Sequence, residues 1–421
     1  MKKTQAWMGL CAATILALTA CSSKAEDDSG SGGGGGDLKS DAGVTDSTIK
    51  LGVLTDTSGV FKSIGLNLTQ GNELWADRIN EEGGICDRDI ELVIKDHGYK
   101  PDNAIALYDQ TKGDVAGFMQ ILGSPIIAAV KGKLGTDKIM SVIATQSTIN
   151  LDVDELIMIG TGYDSEMINA LSWAMEQGTL PEGGKIAHIY VDSEYGQNGL
   201  MGSQYFAKEH GIEVIPVPVS ASDTDMTTTM TKVKEAGVDV IALTTTPAGT
   251  GSIAIQNVAQ GLNLPLIGSN PTFAPALFSD PNVVSALEHL NVFLGAEPYA
   301  GESELSKQIQ ASFDEKYPDE EPGYGVPAGY LEALAWQAIL EKACDNGDMT
   351  RQGLLDARLS LTEVDAQGLS DDMDLSDPGA PPVRSTYALK VDANVPGGQS
   401  IIEGPFTSDE AKSYKFPHQQ K

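Results

Sequence analysis

Catalysis and metal binding need reactive side chains at close spacing, and this chain offers few. Its five histidines, His97, His188, His210, His289 and His418, are scattered, with no HExxH pair or other ligand-like spacing. His188 alternates within an apolar run and reads as a structural histidine. No GxSxG elbow is present, so a hydrolase of that type would lack its nucleophile. The run "DEKYPDEEPG" is acidic but lacks the spacing of a calcium loop, and reads as a solvated helix end and turn. "GTGSIA" (residues 249–254) follows a β-rich run and opens a helical pattern, the local context of a dinucleotide loop. It lies far from the first βαβ unit, so a glycine-rich helix start is the better reading. The expectation is a binding protein without cofactor or metal, not an enzyme.

The N-terminal residues bear on where such a protein works. Lys2 and Lys3 precede an apolar segment over residues 6–20. At about 15 residues it matches a signal-peptide core and falls short of the ~20 that span a bilayer. Leu18-Thr19-Ala20-Cys21 resembles a bacterial lipobox, which implies a leader over residues 1–20 and a lipid on Cys21. An ordinary cleaved signal would equally mean export. Residues 21–47, with the glycine run Gly32 to Gly36, read as a flexible tether to the outer face of the cytoplasmic membrane. Lys and Arg total 28 against 59 Asp and Glu, a formal charge of -31 that repels phosphate backbones and argues against nucleic acid as a partner. Beyond the leader and Cys21, only Cys86 and Cys344 remain. In an exported chain they suggest one disulfide, with two free thiols as the alternative.

The elements that must position a binding site alternate. "IKLGVL", "IELVIKD", "VAGFMQILG", "IMSVIA" and "LIMIG" are β-rich and separated by helical patterns. The pattern restarts at "KIAHIYV", with "IEVIPVPV", "VDVIALTTT" and "LPLIG" to follow. Strands spaced by helices predict βαβ units and parallel sheets, so the fold class is α/β with two similar lobes and a cleft between them. Ligands of such sheets sit outside the carboxyl ends of the strands. In "YLEALAWQAILEKAC", Leu331, Leu334, Ala335, Ala338 and Ile339 share one helical face, and Trp336 on another face calls for a covering neighbour.

The order of "IKLGVLTDTSG", "GNELWADRINEEGGI", "DSEYGQNG", "EAGVDVIAL" and "GYLEALAWQAIL" resembles the type I periplasmic solute-binding proteins of the branched-chain amino acid and amide receptor group, over residues 49–390. These receptors serve ABC importers. The resemblance implies two Rossmann-like lobes joined by three crossovers, near residues 160–164, 290–292 and 370–378. Lobe 1 is then expected over residues 48–163 and 292–373, and lobe 2 over 164–291 and 374–415. Cys86 and Cys344 would share lobe 1, which makes their pairing sterically possible.

The resemblance also assigns candidate ligand contacts. From the loops after three strands of lobe 1 come Ser58 and Phe61, Ser124, and Gln146, Ser147 and Thr148. Hydroxyls and N–H groups there suit a carboxylate at helix N-termini, although Ser and Thr also serve simply as caps. Lobe 2 is expected to supply Tyr195, Thr246, Asn270 and Phe273. Amino-acid receptors of this group place a carboxylate where this chain has Asn270, and Asp280 is no evident substitute. A buried ammonium without a counter-charge is costly, and Phe273 and Phe278 suit an apolar body. The expected function is a monomeric receptor that captures a branched-chain amino acid, or a related solute without an amine, by hinge closure and presents it to an ABC permease. The alternative is a sensor of the same fold reporting to a membrane kinase or chemoreceptor.

Overall fold

The structure, a computed structural model, describes residues 38–419. The expected leader, Cys21 and the glycine run lie outside the described residues. Aliphatic and β-branched runs bounded by polar turns become strands, and the segments between them become helices. The chain begins with β1 (Lys39–Ser40), β2 (Thr48–Thr55), α1 (Lys62–Glu81), β3 (Asp89–Asp96), α2 (Pro101–Thr111), β4 (Gly117–Leu122), α3 (Ser124–Asp137), β5 (Ser141–Ala144) and β6 (Leu156–Met158). Strands β2 to β6 form a five-stranded parallel sheet in the order β3-β2-β4-β5-β6.

The second lobe follows as α4 (Tyr163–Glu176), β7 (Lys185–Val191), α5 (Glu194–His210), β8 (Glu213–Val219), α6 (Thr227–Ala236), β9 (Val240–Thr244), α7 (Pro247–Ala259), β10 (Leu266–Gly268), α8 (Pro281–Ala286) and β11 (Leu290–Leu294). Next come α9 (Glu304–Lys316), α10 (Gly325–Asp345), β12 (Asp348–Met349) and α11 (Arg351–Leu359), whose apolar faces join the core of the first lobe around Ile49, Leu51 and Trp75. The chain returns with β13 (Thr386–Val391), β14 (Gln399–Phe406) and α12 (Asp409–Ser413). Their strands complete a seven-stranded sheet, β14-β13-β11-β10-β9-β7-β8, in which β13 runs antiparallel to both neighbours.

Two helices of the first lobe approach unusually closely. A Cβ at Gly71 of α1 would stand 2.1 Å from the carbonyl oxygen of Val326, and one at Gly329 of α10 would stand 2.1 Å from that of Leu68. Only glycine permits these contacts. The close packing brings Leu68 and Asn72 of α1 beside Ala328 and Glu332 of α10. Trp336, one turn beyond Glu332, is fully buried and donates its indole N–H to the Phe118 carbonyl at 3.1 Å, so β4 is the covering neighbour. Cys344 of α10 is disulfide-bonded to Cys86, in the turn after α1, with Cα atoms 6.1 Å apart.

Several expected boundaries move. The chain passes from β6 to α4 between Met158 and Tyr163. The boundary at residue 292 falls inside β11, which pairs with β10 and β13 and so belongs to the second lobe; the chain crosses after Leu294. The low-apolar stretch around residues 370–378 is not the third crossover. Its few apolar residues, Met373 and Leu375, are buried in the first lobe's core with Leu369, and the chain leaves that lobe after Val383. Residues 39–47, expected as part of a flexible tether, are packed on the first lobe instead: β1 pairs with β12 and Val44 is buried. The second lobe runs past residue 415, since Phe416 is fully buried in it.

Candidate functional site

Where the carboxyl ends of the two sheets face each other, the loops after the strands and the start of α10 enclose a cavity. Lobe 1 contributes Phe61, Ile64 and Leu68 around the start of α1, Tyr99 after β3, Leu122, Gly123 and Ser124 at the start of α3, Ala144 and Gln146 after β5, and Tyr324, Ala328 and Glu332. Lobe 2 contributes Tyr163, Tyr195, Asn270 and Pro271. The space between these walls is narrow and partly open to solvent. A second compartment adjoins it, lined by Ile159, Thr161, Leu294, Ala296, Glu297 and Leu331 among others. Gln146, Asn270, Tyr324, Ala328 and Glu332 line both compartments and form the junction between them.

The walls are mostly aromatic and aliphatic. Phe61 and Tyr99 pack with ring centroids 4.8 Å apart, Tyr163 and Tyr195 at 4.7 Å, and Phe61 meets Tyr195 edge-on across the lobes at 6.4 Å. Gly123, at φ 107°, is required where it stands: a Cβ there would meet the Tyr99 ring at 2.6 Å. Burial pushes the phenols of Tyr99, Tyr163, Tyr195 and Tyr324 above their ordinary range, so the aromatic wall is neutral. Among the described residues, no lysine, arginine or histidine lines either compartment.

Polar groups converge on the junction and link the lobes across it. Tyr324 donates its hydroxyl to Asn270 Oδ1 at 3.2 Å, and Asn270 Nδ2 lies 3.5 Å from Gln146 Oε1. Gln146 donates to the Ile159 carbonyl at 3.3 Å. The Asn270 backbone N–H and its side-chain amide both donate to the fully buried Glu166 carboxyl of α4, each at 3.2 Å at the nearest. Burial holds Glu166 well above the usual carboxylate range, and the Asn270 donors only partly oppose it. Glu332 is also buried, at 2 % exposure; Asn72 faces its carboxyl, and its Oε2 makes no close hydrogen bond.

The expected contacts divide. Phe61, Ser124, Gln146, Tyr195 and Asn270 line the cavity. Ser58 is exposed and donates to Asp96 at 2.7 Å. Ser147 donates across to the Glu194 carbonyl at 2.9 Å, and Thr148 donates to Asp164 at 2.5 Å; both serve the inter-lobe seam beside the first crossover. Thr246 caps α7, accepting from the Gly249 N–H. Phe273 is buried against Phe278, 5.4 Å away, within lobe 2. Even on the wall, the Ser124 hydroxyl is engaged, 2.5 Å from that of Thr145. Sequence reading missed Tyr99, Tyr163, Tyr324, Glu166 and Glu332. A signal existed for the last: Glu332 is the one charge in "AGYLEALAWQAIL", one turn before the buried Trp336.

The periplasmic binding protein family matches residues 48–398, most of the chain. This chain belongs to the periplasmic binding protein family. The binding protein also resembles solved structures along most of its length. It is 34% identical to a fatty acid ABC transporter substrate-binding protein from Thermomonospora curvata, with a TM-score of 0.88, covering 91% of this chain and 98% of that one. A branched-chain amino acid ABC transporter protein from Thermus thermophilus, solved with bound valine, shares the fold at 16% identity and a TM-score of 0.78, covering 88% and 99%. A leucine-binding protein from Thermotoga maritima does so at 16% and 0.72, covering 86% and 100%. Comparison with curated proteins finds no match. As a member of this family the binding protein is a non-enzymatic, extracytoplasmic receptor that delivers a small solute to an ABC permease.

Proposed function

We propose that this receptor captures an amphiphilic carboxylic acid with a long apolar body, of the fatty-acid class, and not a free α-amino acid. The observation that carries this reading is the two-compartment cavity with a neutral aromatic and aliphatic wall. It offers length for an apolar chain, and burying that chain is the main source of affinity. Asn270 stands where an ammonium would want a carboxylate, and its amide is directed at Glu166. The name carried by the relative at 34% identity supports the same class. Hydrogen bonds across the junction would strengthen as the lobes close on the solute, so the ligand stabilises the closed form. A lipid on Cys21 would keep the monomeric receptor beside its permease.

Thermal unfolding of the soluble domain with a ligand panel tests this. Straight-chain fatty acids of graded length should raise stability, by roughly 2.7 kcal/mol at ~100 times the dissociation constant. Stabilisation by leucine, isoleucine or valine without any response to the acids would overturn the proposal.

A further inference from the structure

We propose that Glu332 selects the ligand's head group, its carboxyl sharing one proton with the carboxylate of an apolar acid. The inference rests on the apolar-acid reading and adds where the head sits and what holds it. Glu332 lines both compartments, is 2 % exposed, and its Oε2 makes no close hydrogen bond, Asn72 being the side chain that faces it. A buried polar atom left unpaired costs stability, and one aimed into a cavity is satisfied by whatever fills that cavity. With no cation on either wall among the described residues, a bound carboxylate has no charge partner there and needs a hydrogen-bond donor instead.

Glu332 is suited to be that donor. Burial raises its carboxyl well above the usual range, which favours the O–H form over the anion in the empty cavity. The groups around it do not reverse this. Asn72 faces it from α1, Tyr324 precedes its own helix, Glu297 lines the second compartment after β11, and Glu166 of α4 lies behind Asn270. All of these are neutral or acidic. The ligand arrives as its anion, the protein supplies the proton, and the pair carries a single negative charge, as two carboxyl groups in one site commonly do. Gln146, Tyr324 and Asn270 place further polar groups at the same junction. The apolar chain then extends along the aromatic wall.

The proton linkage gives the test. Once pH rises past the point where Glu332 ionises in the empty protein, acid binding must take up a proton, and affinity should fall by up to about tenfold per pH unit. Glu332→Gln keeps a donor that does not titrate. It should bind the acid with an affinity independent of alkaline pH. The primary amine of the same chain reports the opposite pairing: in the wild type it would displace a proton, and its affinity would rise with pH. Titration calorimetry of the wild type in buffers of different ionisation enthalpy measures proton uptake directly and needs no variant to fold. Uptake of up to one proton with the acid, lost in Glu332→Gln, supports the assignment. Equal alkaline pH profiles in the two proteins, or preference for the amine, overturn it while leaving an apolar ligand in place. Failure of both acid and amine to bind either protein overturns the apolar-acid reading as well.

Discussion

His188 sits in the middle of β7 with both ring nitrogens engaged, Nδ1 with Ser203 at 2.7 Å and Nε2 with Thr244 at 2.9 Å. Burial among neutral groups lowers its pKa from 6.5 to about 3, so the folded protein holds it uncharged. The unfolded chain binds the proton first as pH falls. Stability is therefore full above the unfolded value and lost as pH falls from about 6.5 towards about 3. Urea unfolding across that window should show a shallower decline for His188→Gln, whose amide keeps hydrogen bonds but does not titrate. Identical slopes for variant and wild type would show that His188 does not carry this linkage. Asn270 makes a different residue-scale point. Its departure from the family's carboxylate is plain in the sequence, but the acid it binds, Glu166, lies 104 positions away.

At the scale of elements, the α1–α10 contact is what builds the cavity floor. Gly71 and Gly329 let the helices meet backbone to backbone, and the same turns carry Leu68 to the cavity wall and Ala328 and Glu332 into the junction. A methyl group at position 329 would press on the Leu68 carbonyl and force the helices apart. Gly329→Ala gains about 1 kcal/mol of helix propensity. It should still lose roughly 1–3 kcal/mol net through overpacking, and weaken ligand binding in parallel. Denaturant midpoints and a binding titration on the variant check both effects, and unchanged stability would mean the helices can slide at little cost. The strands were legible because their short runs are rich in aliphatic and β-branched residues and bounded by polar turns. The crossover after β11 was not, because "NVFLG" reads equally well as the last strand of one lobe or the first segment of the next.

At the scale of the molecule, each lobe is made of separated pieces of chain, and the disulfide ties two of them. Cys86 and Cys344 are separated by 258 positions, so the bond closes a very long loop of the unfolded chain. Replacing both with serine should cost about 2–5 kcal/mol of stability, from the entropy returned to the unfolded state. The bridge lies in the turn after α1 and the last turns of α10, away from the cavity-lining residues. Affinity for the ligand measured well below the melting temperature should therefore change little. A large loss of affinity in the folded double variant would show that the bridge also sets the geometry of the junction. Calorimetry with and without reductant supplies the stability comparison.

Local patterns in the sequence determined the alternation of strands and helices, the two-lobed α/β class, the excess of acid and the scarcity of reactive side chains. Each of these depends on neighbours in the chain, whose periodicity reports which face is buried. Order among the landmarks did the same for the family. The site was only half legible: Phe61, Ser124, Gln146, Tyr195 and Asn270 follow strand ends or open helices, where a ligand is expected. Ser147, Thr148 and Thr246 have the right types but are spent on the seam and on a cap. Tertiary structure decided the rest. Tyr324 and Glu332 reach the cavity because two glycines bring α10 against α1, and Glu166 meets Asn270 because α4 packs beside β10 within the second lobe. A carboxyl's pKa depends on burial and on partners far away in sequence, so no local pattern could show that burial raises those of Glu166 and Glu332.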